Sequence, residues 1–146
     1  MAQLTHLAHR LYEHVRREGV LPRGAHIVVA CSGGPDSLAL LSLLLELRSL
    51  LSLTVTAAHY EHGIRGEASA EDAAFVRRFC VARAVPCIVE SGDVPRAAAR
   101  TSESLETAAR RLRYAFLERT RERVGASLIA TAHHAQDNAE TLLFHL

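Results

Sequence analysis

The fold is decided by the stretch I-V-V-A-C-S-G-G-P-D-S-L-A-L-L, which runs from Ile27 to Leu41. Its first five residues are apolar and favour a buried strand, and its last four are apolar and favour a helix. Between them, Gly33 and Gly34 allow the backbone a tight turn. Pro35 suits the first turn of a helix, because the N–H that proline lacks has no partner there. The stretch therefore predicts a strand, a glycine turn and a helix.

The turn has the features of a loop that binds an anion. Its backbone N–H groups are unshielded, and the helix that follows directs the positive end of its dipole at the same place. The hydroxyl groups of Ser32 and Ser37 add two further donors for a phosphate. Serine and glycine are also common at helix starts, so an ordinary helix cap remains the alternative. The residues of this anion loop are Ser32, Gly33, Gly34, Pro35, Asp36 and Ser37.

The charge of the anion loop separates it from a Walker loop, which carries a lysine just after its last glycine. All 17 basic side chains of this sequence are arginines, and Asp36 stands where a Walker loop has its cation. A carboxylate beside a phosphate is repulsive unless a divalent cation lies between them. Asp36 is therefore predicted to be a magnesium ligand or, alternatively, a first-turn carboxylate that the helix dipole stabilises.

Composition limits the class of protein. With 146 residues, of which 49% are hydrophobic, the chain is long enough for one domain with a core. A formal net charge of +1 means that any contact with nucleic acid has to come from local arginine clusters. Cys31, Cys80 and Cys87 are widely spaced and odd in number, which indicates free thiols in a reducing cytosol. The sequence has neither a signal peptide nor a long uncharged apolar run, so we expect a cytoplasmic protein that does not enter a membrane.

Predicted strands and helices alternate along the chain. The strands lie at residues 27–31, 53–58, 86–90 and 127–132. The helices comprise one ending near residue 19, one after the anion loop, and others at 69–84, at 104–124 and from residue 135 onward. Alternation at this spacing predicts an α/β fold with a parallel sheet covered by helices on both faces.

Three polar clusters follow the ends of predicted strands: the anion loop, residues 59–62 and residues 133–137. In parallel sheets of this kind, ligands bind outside the carboxyl ends of the strands, near the point where the strand order reverses. We therefore expect the three clusters to meet in one crevice. Taken by themselves, His59 and His62 are predicted to be surface loop residues rather than ligands.

Two acids lie three residues apart in the last predicted helix. At this spacing the carboxylates of Asp137 and Glu140 can point together at a cation or at a ligand amine. A solvated helix start, with Asp137 favoured by the dipole, explains the same pattern. A zinc site that also uses His133 and His134 is a third interpretation, although the spacing does not favour it.

Arginines are concentrated in the long predicted helix at 104–124. Glu106 precedes Arg110 by four residues, so ion pairing along a solvated face accounts for part of the cluster. For any one of Arg110, Arg111 and Arg113, a solvated surface position remains the alternative. We expect one of them, on the inner face, to bind a phosphate or a leaving pyrophosphate.

Four segments, in this order and spacing, carry a family resemblance. They are S-G-G-P-D-S at 32–37, H-Y-E-H-G-I-R-G-E-A-S-A-E-D-A-A-F-V at 59–76, S-L-E-T-A-A-R-R-L-R-Y-A-F-L at 104–117 and I-A-T-A-H-H-A-Q-D-N-A-E-T-L-L at 129–143. The first resembles the loop of the N-type ATP pyrophosphatases, which split ATP between its α and β phosphates. Together the segments resemble the tRNA(Ile)-lysidine synthases. The resemblance implies one N-type ATP pyrophosphatase (PP-loop) domain over residues 1–146, with the Rossmann-like three-layer fold of the adenine-nucleotide alpha hydrolases.

The resemblance also implies a reaction and its partners. The wobble cytidine of a tRNA(Ile) with a CAU anticodon is adenylated on the oxygen at carbon 2, and the side-chain amine of free L-lysine then displaces AMP to give lysidine. ATP and magnesium are the implied cofactors. By the same resemblance the anion loop binds ATP, the catalytic residues are Asp36, Arg113 and His133, the magnesium ligand is Asp36, and the lysine-binding residues are Asp137 and Glu140.

The sequence departs from the family pattern in three places. Glu61 stands where the family more often has Asp or Asn, and Gln136 stands where the family often has an acid. These changes weaken one metal or lysine contact. The chain also ends at Leu146, inside the helix predicted from residue 135. We therefore expect a domain truncated at its C-terminus, whose tRNA-binding region is missing, or a homodimer.

Two other functions remain compatible with the sequence. A related tRNA base thiolation enzyme would activate a base in the same way but deliver sulfur. The absence of a C-x-x-C motif and the acidic pair Asp137 and Glu140 disfavour it. A nucleotide-binding module without turnover is favoured by the end of the chain and by its near-neutral charge.

Overall fold

A computed structural model of the protein describes residues 4–63, 67–133 and 141–145. The helices are α1 (His6–Glu18), α2 (Pro35–Leu51), α3 (Glu67–Ala82), α4 (Val94–Thr101) and α5 (Leu105–Val124). The strands are β1 (His26–Ala30), β2 (Thr54–Glu61), β3 (Cys87–Ser91), β4 (Leu128–His133) and β5 (Thr141–His145). Among the helices of the described ranges, none combines the length and the apolar character needed to cross a membrane.

The strands form a single sheet in the order β3-β2-β1-β4-β5. The first four strands are parallel, and β5 pairs antiparallel with β4. β1 lies in the middle, where Val28 is level with Thr56 of β2 on one side and with Ile129 of β4 on the other. The predicted parallel sheet is confirmed.

Alternate residues of β1 supply two separate cores, because successive side chains of a strand point to opposite faces of the sheet. Ile27 and Val29 pack into one core with α1, α2 and α3. Val28 packs into the other with α4 and α5, including the buried Phe116 and Leu117. Helices therefore cover both faces, and the three-layer arrangement is confirmed.

Local signals fix the ends of the helices that were predicted. The hydroxyl of Thr5 accepts a hydrogen bond from the N–H of Ala8 at the start of α1, and Gly19 ends that helix at φ 65°. Ser104 plays the same part for α5, accepting from the N–H of Thr107 at 3.1 Å, and Gly125 ends α5 at φ 72°. These side-chain caps satisfy N–H groups that have no partner within the helix.

Three elements differ from the sequence-based expectation. α4 was not predicted, because eight residues give too few turns for a clear apolar period; Asp93 caps it and Pro95 lies in its first turn. β2 runs three residues further than expected, to Glu61. Residues 141–145 form β5 instead of continuing a helix, since pairing with the free edge of β4 satisfies their backbone groups. Residues 134–140, where that helix was predicted to begin, lie outside the described residues.

Candidate functional site

The carboxyl ends of β1, β2 and β4 border a crevice with a volume of about 610 Å³. It opens where the strand order reverses, because the chain leaves β1 towards β2 and β3 on one side and returns to β4 on the other. The side chains that line it come from the anion loop, from the end of β2, from α3, from α5 and from Thr131 and Ala132 of β4. The expected meeting of polar clusters is confirmed for the anion loop and residues 59–62, and the end of β4 reaches the same crevice.

Gly33 and Gly34 make different contributions to the anion loop. Gly33 has a φ of 91°, in the left-handed region that side chains other than glycine rarely adopt. A Cβ atom there would also lie 3.6 Å from Cγ2 of Val76, so α3 packs closely against the turn. Gly34 has an ordinary extended conformation, with φ −79° and ψ 165°, and precedes α2 as its N-cap residue. Only Gly33 is required by the backbone conformation.

The hydroxyl groups of the anion loop are bonded to one another and to the loop backbone. Ser37 Oγ donates to the carbonyl of Gly34 at 3.2 Å and accepts from the N–H of Ser32 at 3.1 Å. Ser32 Oγ accepts from the N–H of Gly34 at 3.2 Å and lies 3.2 Å from Ser37 Oγ. Both hydroxyls therefore stabilise the shape of the turn, and their role as donors to a phosphate stays a prediction. Ser32 and Ser37 line the crevice.

One acidic residue lies within the anion loop, and a second lies beside it. Asp36 is half-buried in the first turn of the 17-residue helix α2, and the lining of the crevice includes Asp72 of α3. The Cβ of Asp72 is 3.9 Å from the position that a Cβ of Gly33 would occupy. Within the part of the chain that the structure describes, no group of three potential ligands is arranged to hold a metal by itself. One or two carboxylates completed by phosphate oxygens and water is the usual protein environment of magnesium, and these acids fit it.

Arg113 is the arginine of the α5 cluster that reaches the crevice. Its guanidinium carbon lies 5.4 Å from the ring centre of Tyr114, as does that of Arg110, so the ring is in cation–π range of both. Arg111 instead forms an ion pair with Glu103 at 2.8 Å, away from the crevice. Arg113 therefore lies on the inner face, and its binding of a phosphate or pyrophosphate stays a prediction.

His59 is not a surface loop residue, and that interpretation was wrong. It lies within β2, which is longer than predicted, and its exposure is only 3%. Its ring nitrogen Nδ1 lies 2.6 Å from the carbonyl oxygen of Cys31, the residue that links β1 to the anion loop. His62 is half-buried after the end of β2, with its ring 5.3 Å from the ring of Tyr60 in an edge-on arrangement.

Several residues of the crevice were not predicted as site residues. Tyr60 is 9% exposed and packs against Phe116 at 5.4 Å between ring centres. Tyr114 and Leu117 of α5 complete an apolar and aromatic wall. Asp72 could have been found from helical period, because it precedes the buried Val76 by one turn on the inward face of α3. The aromatic wall carried no such signal, since it forms only when α5 packs across the end of β2.

Cys31 is among the residues that line the crevice, but its thiol is buried and unsuited to chemistry. Burial, followed by the proximity of Cys87, raises the pKa of Cys31 to about 12. The thiolate is the reactive form of cysteine, so a thiol with such a pKa stays protonated and inert at neutral pH. Burial and the lack of charge agree with a structural role for this residue.

The last group of predicted site residues follows β4. The backbone of His133 ends β4 beside the crevice, and its side chain lies outside the described residues. His134, Gln136, Asp137 and Glu140 also lie outside the described residues. The assignment of His133 as a catalytic residue, and of Asp137 and Glu140 as lysine-binding residues, stays a prediction.

Comparison with known proteins agrees with this geometry. Residues 3–146 match the family model described as the PP-loop domain. The tRNA(Ile)-lysidine synthase of Clostridium acetobutylicum is 39% identical over 132 residues, which cover 90% of this chain and 29% of that protein. Those of Geobacillus kaustophilus and Thermotoga maritima are 42% and 44% identical, covering 90% and 87% of this chain and 28% and 30% of theirs. The chain thus spans less than a third of the length of these curated relatives.

Solved structures with the same fold include two enzymes. The U34-tRNA thiolase NcsA of Methanococcus maripaludis superposes with a TM-score of 0.64 at 16% identity, covering 86% of this chain and 45% of that one. The NH3-dependent NAD synthetase of Campylobacter jejuni gives a TM-score of 0.62 at 19% identity, covering 88% and 56%. At these identities the likeness concerns the fold. Because the family match extends over nearly the whole chain and includes the loop between β1 and α2, the chain belongs to the PP-loop domain family.

Proposed function

We propose that this domain binds ATP in the crevice and uses it to form lysidine in a tRNA(Ile) with a CAU anticodon. The observation that carries the proposal is the position of the anion loop: it leaves the central strand, begins α2 and opens into the same crevice as Arg113. The identity of 36% or more to tRNA(Ile)-lysidine synthases supports the choice of substrate. We further propose that the reaction takes place in the cytoplasm.

In the first step, the oxygen on carbon 2 of the cytosine attacks the α phosphorus of ATP. The bond from this phosphorus to the bridging oxygen breaks, and pyrophosphate leaves. Backbone N–H groups of the anion loop and the N-terminus of α2 stabilise the phosphate charge, and Arg113 holds the departing pyrophosphate. Magnesium bound with ATP would be held by Asp36 and would neutralise part of that charge.

In the second step, the side-chain amine of lysine attacks carbon 2 of the adenylated base. Before the attack the ammonium form of lysine gives one proton to solvent. As the new bond forms, the bond between carbon 2 and oxygen breaks, AMP leaves with that oxygen, and the attacking nitrogen gives a second proton to solvent. We propose that Asp137 and Glu140 hold the lysine ammonium group before the attack, because paired carboxylates suit a cation, and that His133 contacts the nucleotide. The proposal also includes a surface that binds tRNA, formed by this chain alone or together with a second copy of it.

The cysteines in the part of the chain that the structure describes do not support the thiolation alternative. Cys31 is the cysteine that reaches the crevice, and the raised pKa of its buried thiol makes it a poor carrier of sulfur.

The test is the transfer of labelled lysine to a CAU-anticodon tRNA(Ile) by the 146-residue chain, with ATP and magnesium and with AMP measured in parallel. We expect label and AMP in equal amounts, and none without lysine or with another tRNA. ATP binding without labelling would contradict ligation by this chain and leave a nucleotide-binding module. Absence of ATP binding would refute the assignment of the crevice itself.

The role of Asp36 is tested by Asp36→Ala. We expect AMP formation to fall by at least about a hundredfold, the size typical of losing one electrostatic contact to the reacting phosphates, with an unchanged unfolding midpoint. Glu13→Ala, which removes an exposed acid from α1, is the matched control and should leave AMP formation unchanged. AMP formation at the normal rate by the Asp36 variant would rule out the magnesium role.

A further inference from the structure

Cys31 is the last residue joined to the sheet before the chain enters the anion loop. Its N–H donates to the carbonyl of Ala58 at 2.8 Å, which continues the pairing of β1 with β2 by one residue. Its carbonyl is held at 2.6 Å by Nδ1 of His59, one residue further along β2. A side chain thus holds the backbone at the point where the strand ends and the anion loop begins.

The hydrogen bond determines the tautomer of the neutral imidazole. A carbonyl oxygen can only accept, so Nδ1 of His59 carries the proton and donates it. In the neutral ring the lone pair is therefore on Nε2. The ring is 3% exposed, and a buried polar group without its partner is costly, so the ring and the carbonyl hold each other in place.

The anion loop depends on where it starts. The N–H of Ser32, the next residue, must meet Oγ of Ser37 at 3.1 Å, and the N–H of Gly34 must meet Oγ of Ser32 at 3.2 Å. A shift or rotation of the Cys31 carbonyl rotates the peptide unit that contains the Ser32 N–H, because the two groups share one plane. The bond from His59 therefore controls the direction of the first donor of the loop.

We propose that His59 is a positioning residue of the anion loop: by holding the Cys31 carbonyl through Nδ1, it keeps the loop backbone in the geometry that binds a phosphate. The inference rests on the proposed function for the identity of the ligand. The geometry of the loop, by contrast, is argued independently of the proposed function.

Two amide variants of His59 distinguish the role of Nδ1 from that of Nε2. The side-chain N–H₂ of an asparagine lies near the place of Nδ1, and that of a glutamine lies near the place of Nε2. We expect His59→Asn to bind α,β-methylene-ATP with magnesium within about threefold of the wild type. His59→Gln and His59→Ala should bind it about tenfold more weakly, because the Cys31 carbonyl loses its donor.

The matched control is His26→Ala. His26 also bonds a polar group of β2, with Nε2 2.9 Å from Oγ1 of Thr56, but it lies at the opposite end of the same two strands. This variant should lose stability without losing affinity for the nucleotide. A loss of affinity as large as that of His59→Ala would show that general weakening of the sheet, rather than His59, explains the effect.

A second measurement is independent of the ligand. Hydrogen exchange of the Ser32 and Gly34 amides should be faster in His59→Ala and His59→Gln and normal in His59→Asn. If the wild type binds no nucleotide, the proposed function fails while this exchange pattern still supports the positioning role. Exchange and affinity that stay normal in His59→Ala would overturn the inference, as would full function in His59→Gln with failure of His59→Asn.

Discussion

At the scale of single residues, replacing each glycine of the anion loop by serine distinguishes their roles. Gly33 has a φ of 91°, whereas Gly34 has an extended conformation that suits any N-cap residue. We expect Gly33→Ser to lower the free energy of unfolding by about 1–2 kcal/mol, the cost of a side chain in the left-handed region. Gly34→Ser should be within about 0.5 kcal/mol of the wild type, because serine is a good N-cap.

Urea unfolding followed by circular dichroism measures both variants. The two substitutions add the same atoms at neighbouring positions, so Gly34→Ser controls for the change in composition. Equal losses in the two variants would mean that space, rather than backbone conformation, limits the loop.

The residues of the anion loop could be predicted from the sequence because their signal is local. Glycine, proline and serine in this order act on their own backbone and on the next few residues. His59 could not be predicted in the same way. Its role depends on β2 running alongside β1 as far as Cys31, which is a contact over 28 positions. The interpretation as a loop residue followed from ending that strand too early.

At the scale of secondary structure, the first turn of α5 depends on one hydroxyl. Ser104 Oγ accepts from the N–H of Thr107 and donates to Thr107 Oγ1 at 2.9 Å. We expect Ser104→Ala to lower the free energy of unfolding by about 1 kcal/mol, as for other N-cap serines. Thermal and urea unfolding measure the change.

Ser102 provides the control for this prediction. It is an exposed serine two residues earlier, between α4 and α5, at φ 57°. Ser102→Ala keeps a side chain in the same backbone conformation and should change the free energy of unfolding by less than about 0.5 kcal/mol. Ser104→Asp, which restores an acceptor, should recover most of the stability that Ser104→Ala loses. A loss in Ser102→Ala equal to that in Ser104→Ala would contradict the cap.

Helices with caps and several turns could be predicted from the sequence, and edge elements could not. α5 has a serine cap, a glycine end and 20 residues between them. β5 is a strand because the edge of β4 is available for pairing, and nothing in T-L-L-F-H by itself distinguishes a strand from a helix. The same holds for the site. The helix predicted that one arginine of the cluster lies on the inner face, and the family resemblance indicated Arg113, whereas the aromatic wall around it was not predicted.

At the scale of the whole molecule, acid weakens the fold partly through His26. Burial lowers the pKa of His26 below its ordinary value of 6.5. Between the two pKa values the unfolded chain binds a proton that the folded chain does not, so the free energy of unfolding decreases as the pH falls below 6.5. The decrease stops once the pH is below the folded pKa of His26.

We expect the urea midpoint to fall between pH 7.5 and pH 5.5 and to fall less in His26→Gln, which cannot take up the proton. The chain has nine histidines, so the difference between the two proteins isolates His26. His14→Gln, at an exposed position of α1, should keep the wild-type pH dependence. A pH dependence that is identical in wild type and His26→Gln would contradict the contribution of His26.

The central position of β1 has a consequence for how long the protein survives. β2 and β4 flank this strand on both sides, so the anion loop cannot be released without separating the middle of the sheet. A nucleotide held by the loop therefore opposes unfolding of the whole domain. At a free concentration of one hundred times the dissociation constant, it adds about 2.7 kcal/mol, which lowers the unfolded population about a hundredfold. If the proposed binding holds, the supply of nucleotide sets the lifetime of the chain against proteases that attack only its unfolded form.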